Sequence, residues 1–203
     1  MQREEKSEKS RRQVLDAALK LFSHQGYRAT TMRDIAEQAR VSTGNVYHHF
    51  PDKEAIFNTL LDELWEVAET RRFPFRRALI AGQFPDNIET LGFAARDSVR
   101  EFRLYFALIY VDVIEFDGTH IKRFYDEMSK RFAELIGRNG GMDGIAKRLR
   151  PGVSPISALM LVTRIFFNYF TIEILFNVPE PFGKSTNQAV AEIADILRNG
   201  MVG

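Results

Sequence analysis

The chain has 203 residues, a formal net charge of +1 and no cysteine, with 45% hydrophobic and 27% charged residues. That much apolar material builds a packed core and excludes a disordered chain. The missing cysteines exclude disulfides, thiolate metal sites and cysteine nucleophiles. The length suits one domain, or a small domain joined to a larger one.

The opening stretch, MQREEKSEKSRRQ, is charged and lacks the apolar centre of a signal peptide. Residues 1–9 are expected to be a flexible lead. Val14, Ala17, Ala18, Leu21 and Phe22 then recur at helical spacing, and Gly26 is placed to end that helix. Thr31 followed three residues later by Asp34 has the form of a capping box and starts a second helix, with Ile35, Ala36 and Ala39 on its apolar face. Ser42 or Thr43 caps a short third helix, which Pro51 ends. Asp52 caps a fourth, whose apolar stripe runs through Ile56, Phe57, Leu60, Leu61, Leu64, Trp65 and Ala68.

Pro74 marks a soft boundary. Helical patterns follow at about 86–101, 102–116, 119–138, 154–178 and 185–199, with loops at 137–144 and 177–185. The apolar stretches at 104–116 and 158–178 are interrupted by Asp112, Arg164, Asn168 and Glu173, so they read as buried helices and not membrane spans. No strand-like alternation of useful length is present. The expected class is all-α: a three-helix N-terminal unit, a linking helix, and a larger helical domain. The expected domains are 1–53 and 54–203.

Residues 31–50 read as helix, turn, short helix, the spacing of a DNA-binding helix-turn-helix. Residues 1–53 carry ten Lys and Arg against seven Asp and Glu. Val46 and Phe50 share the inward face of the short helix, and Gly44, Asn45, Tyr47 and His48 point elsewhere. Thr43 is suited to a base edge and Gly44 to close backbone approach. Tyr47, His48 and Lys53 are suited to phosphate oxygens. Thr31, Arg40, Ser42 and Asn45 complete the expected DNA-contacting set. His48 and His49 are adjacent, not at the i, i+4 spacing of a helical metal pair, so no metal is expected.

Residues 11–64 resemble the DNA-binding domain of TetR-family transcriptional regulators. The resemblance rests on Val14–Phe22, Gly26, Thr30–Thr31, Asp34–Ile35–Ala36, Val41–Ser42, Gly44, Val46–Tyr47, His49–Phe50, Lys53 and Glu54. Arg40 departs from the family, which has glycine in the turn. A left-handed conformation there costs arginine about 1–2 kcal/mol. The missing cysteines fit a reducing cytoplasm, and the resemblance implies a homodimeric regulator, in most members a repressor. It binds a palindromic double-stranded DNA operator with its first three helices, and the remaining helices dimerise and hold a small-molecule effector.

Within 154–178, Ile156, Leu159, Val162, Phe166, Phe170 and Ile174 fall near heptad spacing, and Val190, Ile193 and Leu197 share a face of the last helix. Together they are the expected dimer interface, with an intramolecular core as the alternative. Phe102, Tyr105, Phe106, Tyr110, Phe166, Asn168 and Tyr169 are candidate ligand contacts, aromatic walls with polar anchors that suit a mainly apolar molecule. Solid core is the alternative for these aromatic residues. No phosphate loop, nucleophile elbow or dinucleotide fingerprint appears, so neither an enzyme nor a cofactor is expected. The competing function is a helical protein-interaction module without DNA binding.

Overall fold

Helix starts follow the short polar side chains that satisfy free amides. In the computed structural model, which describes residues 2–138 and 142–202, α1 spans Gln2–Gln25. It therefore takes in residues 2–9, expected to be a flexible lead. Gly26 ends it at φ +88°. Helix α2, Met32–Ala39, begins with the expected capping box: the Asp34 amide donates to Thr31 Oγ1, and the Thr31 amide donates to the Asp34 carboxylate. Helix α3 is Thr43–His49, capped by Ser42 through the Asn45 amide. Helix α4, Lys53–Ala68, has Asp52 accepting from the Ala55 amide at 2.7 Å.

Beyond it lie α5 (Pro74–Ala81), α6 (Ile88–Glu101), α7 (Arg103–Glu115), α8 (Thr119–Arg138), α9 (Met142–Ala146), α10 (Pro155–Phe170) and α11 (Thr186–Met201). A π-helical turn, Thr171–Leu175, continues α10. Part of the loop expected at 137–144 lies on 139–141, outside the described residues; α9 begins within the rest of it. The described residues form no strand, and the class is all-α.

The chain packs as two units. The first joins Met1–Glu66 to Leu104–Arg123. Its core holds Val14, Leu15, Ala18 and Phe22 of α1, Ile35 of α2, Val46 of α3, Ile56, Phe57 and Leu60 of α4, and Leu108 of α7. Packing therefore divides the chain elsewhere than at residue 53. Most of α4 and all of 104–123 share the unit that carries the helix-turn-helix.

The second unit comprises Val67–Arg103 and Phe124–Gly203. Helix α6 is its hub, with α5, α10 and α11 packed on it. Gly92 allows the close approach: a Cβ there would lie 2.7 Å from the Phe166 ring and 2.9 Å from Val190 Cγ1. The segment Pro155–Leu175 is long and apolar enough to cross a membrane by length and composition alone. Its side chains Leu159, Val162, Phe166 and Phe170 are nonetheless buried, as expected of a core helix.

That burial corrects the expected dimer face. Leu159, Val162, Phe166, Phe170 and Val190 are completely buried within a single chain, and Ile193 and Leu197 nearly so. They form core around α6 and are unavailable to a second copy. Ile156 and Ile174 are half-buried. The large apolar side chains left exposed in this region are Leu161, Phe176, Val178, Phe182 and Ile196.

Candidate nucleic-acid interface

Short side chains and one unusual backbone conformation set the angle between α2 and α3. Arg40 adopts the left-handed conformation, φ 58° and ψ 41°, and its amide points back to the Ala36 and Glu37 carbonyls. The Val41 amide also donates to the Ala36 carbonyl, at 3.0 Å. Arginine thus keeps the turn that glycine makes without a Cβ penalty. Its own side chain stands exposed.

Helix α3 is split by face. Val46 and Phe50 are buried against α1 and α2. Thr43, Gly44, Tyr47 and His48 are exposed, as is the capping Ser42. Tyr47 is 54% exposed, a large aromatic side chain offered to solvent with its hydroxyl. Thr31 is exposed too, although its hydroxyl already caps α2. His49 is half-buried; burial, with His48 and Arg11 nearby, pushes its imidazole below the ordinary histidine range.

Lys53 is placed differently from a free phosphate ligand. Its Nζ donates to the Tyr27 carbonyl at 2.6 Å and the Thr30 carbonyl at 2.7 Å, and lies 4.0 Å from the centre of the Tyr27 ring. Burial lowers the lysine pKa, against the pull of Glu115 and Asp34. Two of its three N–H groups are thus used inside the protein.

The turn that Lys53 grips is held from the other side by Glu115, at the end of α7. Its carboxylate accepts from the Tyr27 amide at 2.8 Å and the Arg28 amide at 2.6 Å. Around this joint Phe22, Tyr27, Phe57, Phe116 and His120 form a linked set of ring contacts. A second tie runs through Glu63 of α4, which accepts from Arg12 of α1 and from the Tyr105 hydroxyl of α7. The scaffold behind the reading helix therefore includes α7, which no local sequence signal pointed to.

A groove of about 640 Å³ lies between α1 and α3, lined by Lys6, Ser7, Lys9, Ser10, Gln13, Val41, Ser42, Asn45, His48 and His49. Ser10 Oγ donates to Asn45 Oδ1 at 2.5 Å across it. Sequence reasoning missed the α1 wall of this groove. The signal was present in the spacing of Lys6, Lys9, Ser10 and Gln13, which share one face of a helix.

The candidate ligand contacts are divided between the packing units. Tyr105, Phe106 and Tyr110 belong to the first, and Phe102, Phe166, Asn168 and Tyr169 to the second. Tyr105 is tied to Glu63, and Tyr110 is 39% exposed. Phe102 and Phe166 are buried, and Asn168 is exposed. Tyr169 is buried with no partner for its hydroxyl among the protein groups described.

Helices α1–α3 with the exposed face of α3 define a helix-turn-helix DNA-binding module. Residues 14–60 match the family model described as bacterial regulatory proteins of the tetR family. That stretch, under a quarter of the chain, is similar to the DNA-binding domain of this family. The chain is 39% identical over 66 residues to the transcriptional regulator AcrR of Shigella flexneri, covering 32% of this chain and 29% of that one. It is 47% identical over 51 residues to the transcriptional repressor KstR2 of Rhodococcus jostii, a quarter of each chain. These matches span less than a third of the relatives' own length. Similarity to solved structures runs further. NalD of Pseudomonas aeruginosa, the secondary repressor of the MexAB-OprM multidrug efflux pump, aligns over 98% of both chains with a TM-score of 0.61 and 23% identity. The fatty acid degradation regulator FadR of Bacillus halodurans aligns over 92% of this chain and 93% of its own, with a TM-score of 0.65 and 15% identity. At such identities the likeness is one of fold. All four are named as regulators or repressors.

Proposed function

We propose that the chain is a ligand-responsive repressor that binds a palindromic operator as a homodimer in the cytoplasm and is released by a small, mainly apolar molecule. The observation that carries this reading is the outward face of α3. Thr43, Gly44, Tyr47 and His48 are exposed together with no acidic side chain among them. A helix presenting such a face to the major groove reads base edges from its first turn and braces on phosphates from its flanks. Arg40, Ser42, Asn45 and Thr31 complete the contacts, with Lys53 contributing its remaining N–H.

The functional division assigns operator binding to residues 1–53, and ligand binding and dimerisation to 54–203. Two copies meet through the exposed apolar side chains Leu161, Phe176, Val178, Phe182 and Ile196, with Ile156 and Ile174 beside them. A two-fold arrangement sets two reading helices on half-sites about one DNA turn, or a multiple of it, apart. Tyr169, with its buried unpaired hydroxyl, is the strongest of the proposed effector contacts. The relatives' names, which speak of repression, drug efflux and fatty acid degradation, agree with an apolar effector.

The test is selection of genomic fragments by the purified protein, followed by gel shift on the enriched sequence. Enrichment of an inverted repeat supports the reading. A chain that enriches no sequence and shifts no duplex at low salt is not an operator-binding repressor.

A further inference from the structure

The groove between α1 and α3 has two walls, only one of which belongs to the helix-turn-helix. The other is the first part of α1, Lys6 to Gln13. Lys6, Ser7 and Lys9 are exposed along it, and no Asp or Glu lines the groove. Acidic residues do occur nearby, since Glu4, Glu5 and Glu8 share these turns. At about 100° per residue, Glu4 and Glu8 fall on the side of α1 opposite Lys6, and Glu5 on its flank. Glu8 also lies 3.9 Å from Arg11. The helix thus sorts its charges, turning two ammonium groups and two hydroxyls toward the space beside the reading helix. His48 and His49 face the same space from α3.

We infer that this groove seats a sugar–phosphate strand of the duplex that α3 reads, with Lys6 and Lys9 as its cations and Ser10 as the residue that orients Asn45. The inference rests on the DNA-binding reading above and adds a second segment to the interface. The charge of the groove suits a polyanion, and its position places that polyanion against the first turn of α3. Ser10 acts through its neighbour. By donating to Asn45 Oδ1 it turns the carbonyl end of that amide toward α1. The two Asn45 N–H donors are left for DNA, where they suit acceptors: phosphate oxygens, purine N7, guanine O6 or thymine O4. Without Ser10 the amide is free to rotate and to accept from the amino groups of adenine and cytosine as well. Lys6 and Lys9 thus supply affinity, and Ser10 supplies base preference.

The experiment uses the full chain and two kinds of DNA. On a mixed-sequence duplex, the double variant Lys6→Ala, Lys9→Ala should lower the slope of log affinity against log salt by about 1.8 units for each bound protomer, about 3.6 for a dimer, because each phosphate contact releases about 0.9 counterion. Alanine is the best helix former, so α1 is retained, and circular dichroism checks this. An unchanged slope in the double variant, with wild type binding normally, overturns the inference and leaves the regulator reading intact. A wild-type chain that binds no duplex overturns the regulator reading itself. Selection from a random-sequence duplex library tests Ser10. Ser10→Ala should broaden the preference at one position per half-site with no change in salt slope, and Ser10→Thr should restore it. A preference identical in wild type and Ser10→Ala removes Ser10 from base recognition.

Discussion

The carboxylate of Glu115 occupies the space that a side chain at Gly26 would need: a Cβ there would lie 2.6 Å from Glu115 Oε1. The glycine is thus required twice, by its φ of +88° and by the carboxylate it admits. Gly26→Ala is expected to cost about 2 kcal/mol or more, combining left-handed strain with the displaced carboxylate. Glu115→Ala, which strips the Tyr27 and Arg28 amides of their acceptor, should cost about 1–3 kcal/mol. In the double variant the clash is gone, so the sum of the single costs should exceed the measured one. Urea denaturation of the four proteins gives this coupling directly.

Lys53→Ala should act first on stability. The variant loses two charge-assisted hydrogen bonds and the contact with Tyr27. A cost of about 2 kcal/mol is expected, below the sum for two buried bonds because Lys53 is partly exposed. The salt slope of DNA binding should fall by less than one unit for each bound protomer. A full unit of slope with unchanged stability would show that Lys53 serves DNA and not the turn.

Arg40→Gly should move stability and binding in opposite directions. Glycine relieves the left-handed strain at φ 58° but loses more backbone entropy on folding, leaving a gain of about 0.5–1 kcal/mol. If the exposed guanidinium meets a phosphate, the same variant binds DNA more weakly and with a smaller salt slope. Thermal denaturation and gel shift on one protein preparation check both signs.

Gly92→Ala sets helix propensity against packing. In an exposed helix the change gains about 1 kcal/mol. Here the added methyl meets Phe166 and Val190. Over-packing should dominate, with a net loss of about 1–2 kcal/mol. Calorimetric melting decides the sign.

The proposed dimer face separates from the core by substitution. Leu161→Glu with Ile196→Glu should leave the folded chain intact and abolish dimers in sedimentation, since both side chains are exposed in one copy. Phe166→Glu should instead unfold the chain, because a carboxylate would be buried in the core without a partner.

Tyr105 gives a pH signature. Burial, and then the adjacent Glu63 carboxylate, push its phenol up to about 12 from the ordinary value of 10. A folded pKa above the unfolded one means that the stability it contributes is complete below pH 10. That stability is lost as pH rises through about 12. Tyr105→Phe should lower stability at neutral pH and flatten this alkaline decline, as read by denaturation at a series of pH values.

The helix-turn-helix was legible because its signals are local. Thr31 with Asp34, Ser42 with the Asn45 amide, and Asp52 with the Ala55 amide are partners within three residues. What escaped was settled at long range or by a double meaning. Pro74 reads as an interruption, yet it opens α5, where a first-turn proline loses no hydrogen bond. The heptad in α10 is real, but a helix apolar on most sides does not say which side faces its own chain. Leu159 and Phe166 went to α6, and Leu161 stayed outside. Glu115 and Tyr27 are 88 residues apart, and no periodicity connects them.

The unit that carries the reading helix is discontinuous in sequence, and this bears on how such regulators are recombined. A graft cut after residue 66 would transplant α1–α3 and nearly all of α4 without Leu108, Phe116 and Glu115. The recipient would have to supply an apolar plug for the Phe22–Phe57 cluster and an acceptor for two stranded amides. A chimera that also carries 104–123 brings its own. For the same reason the nascent chain cannot complete this unit until about residue 123 has left the ribosome, and until then its first four helices lack their fifth partner.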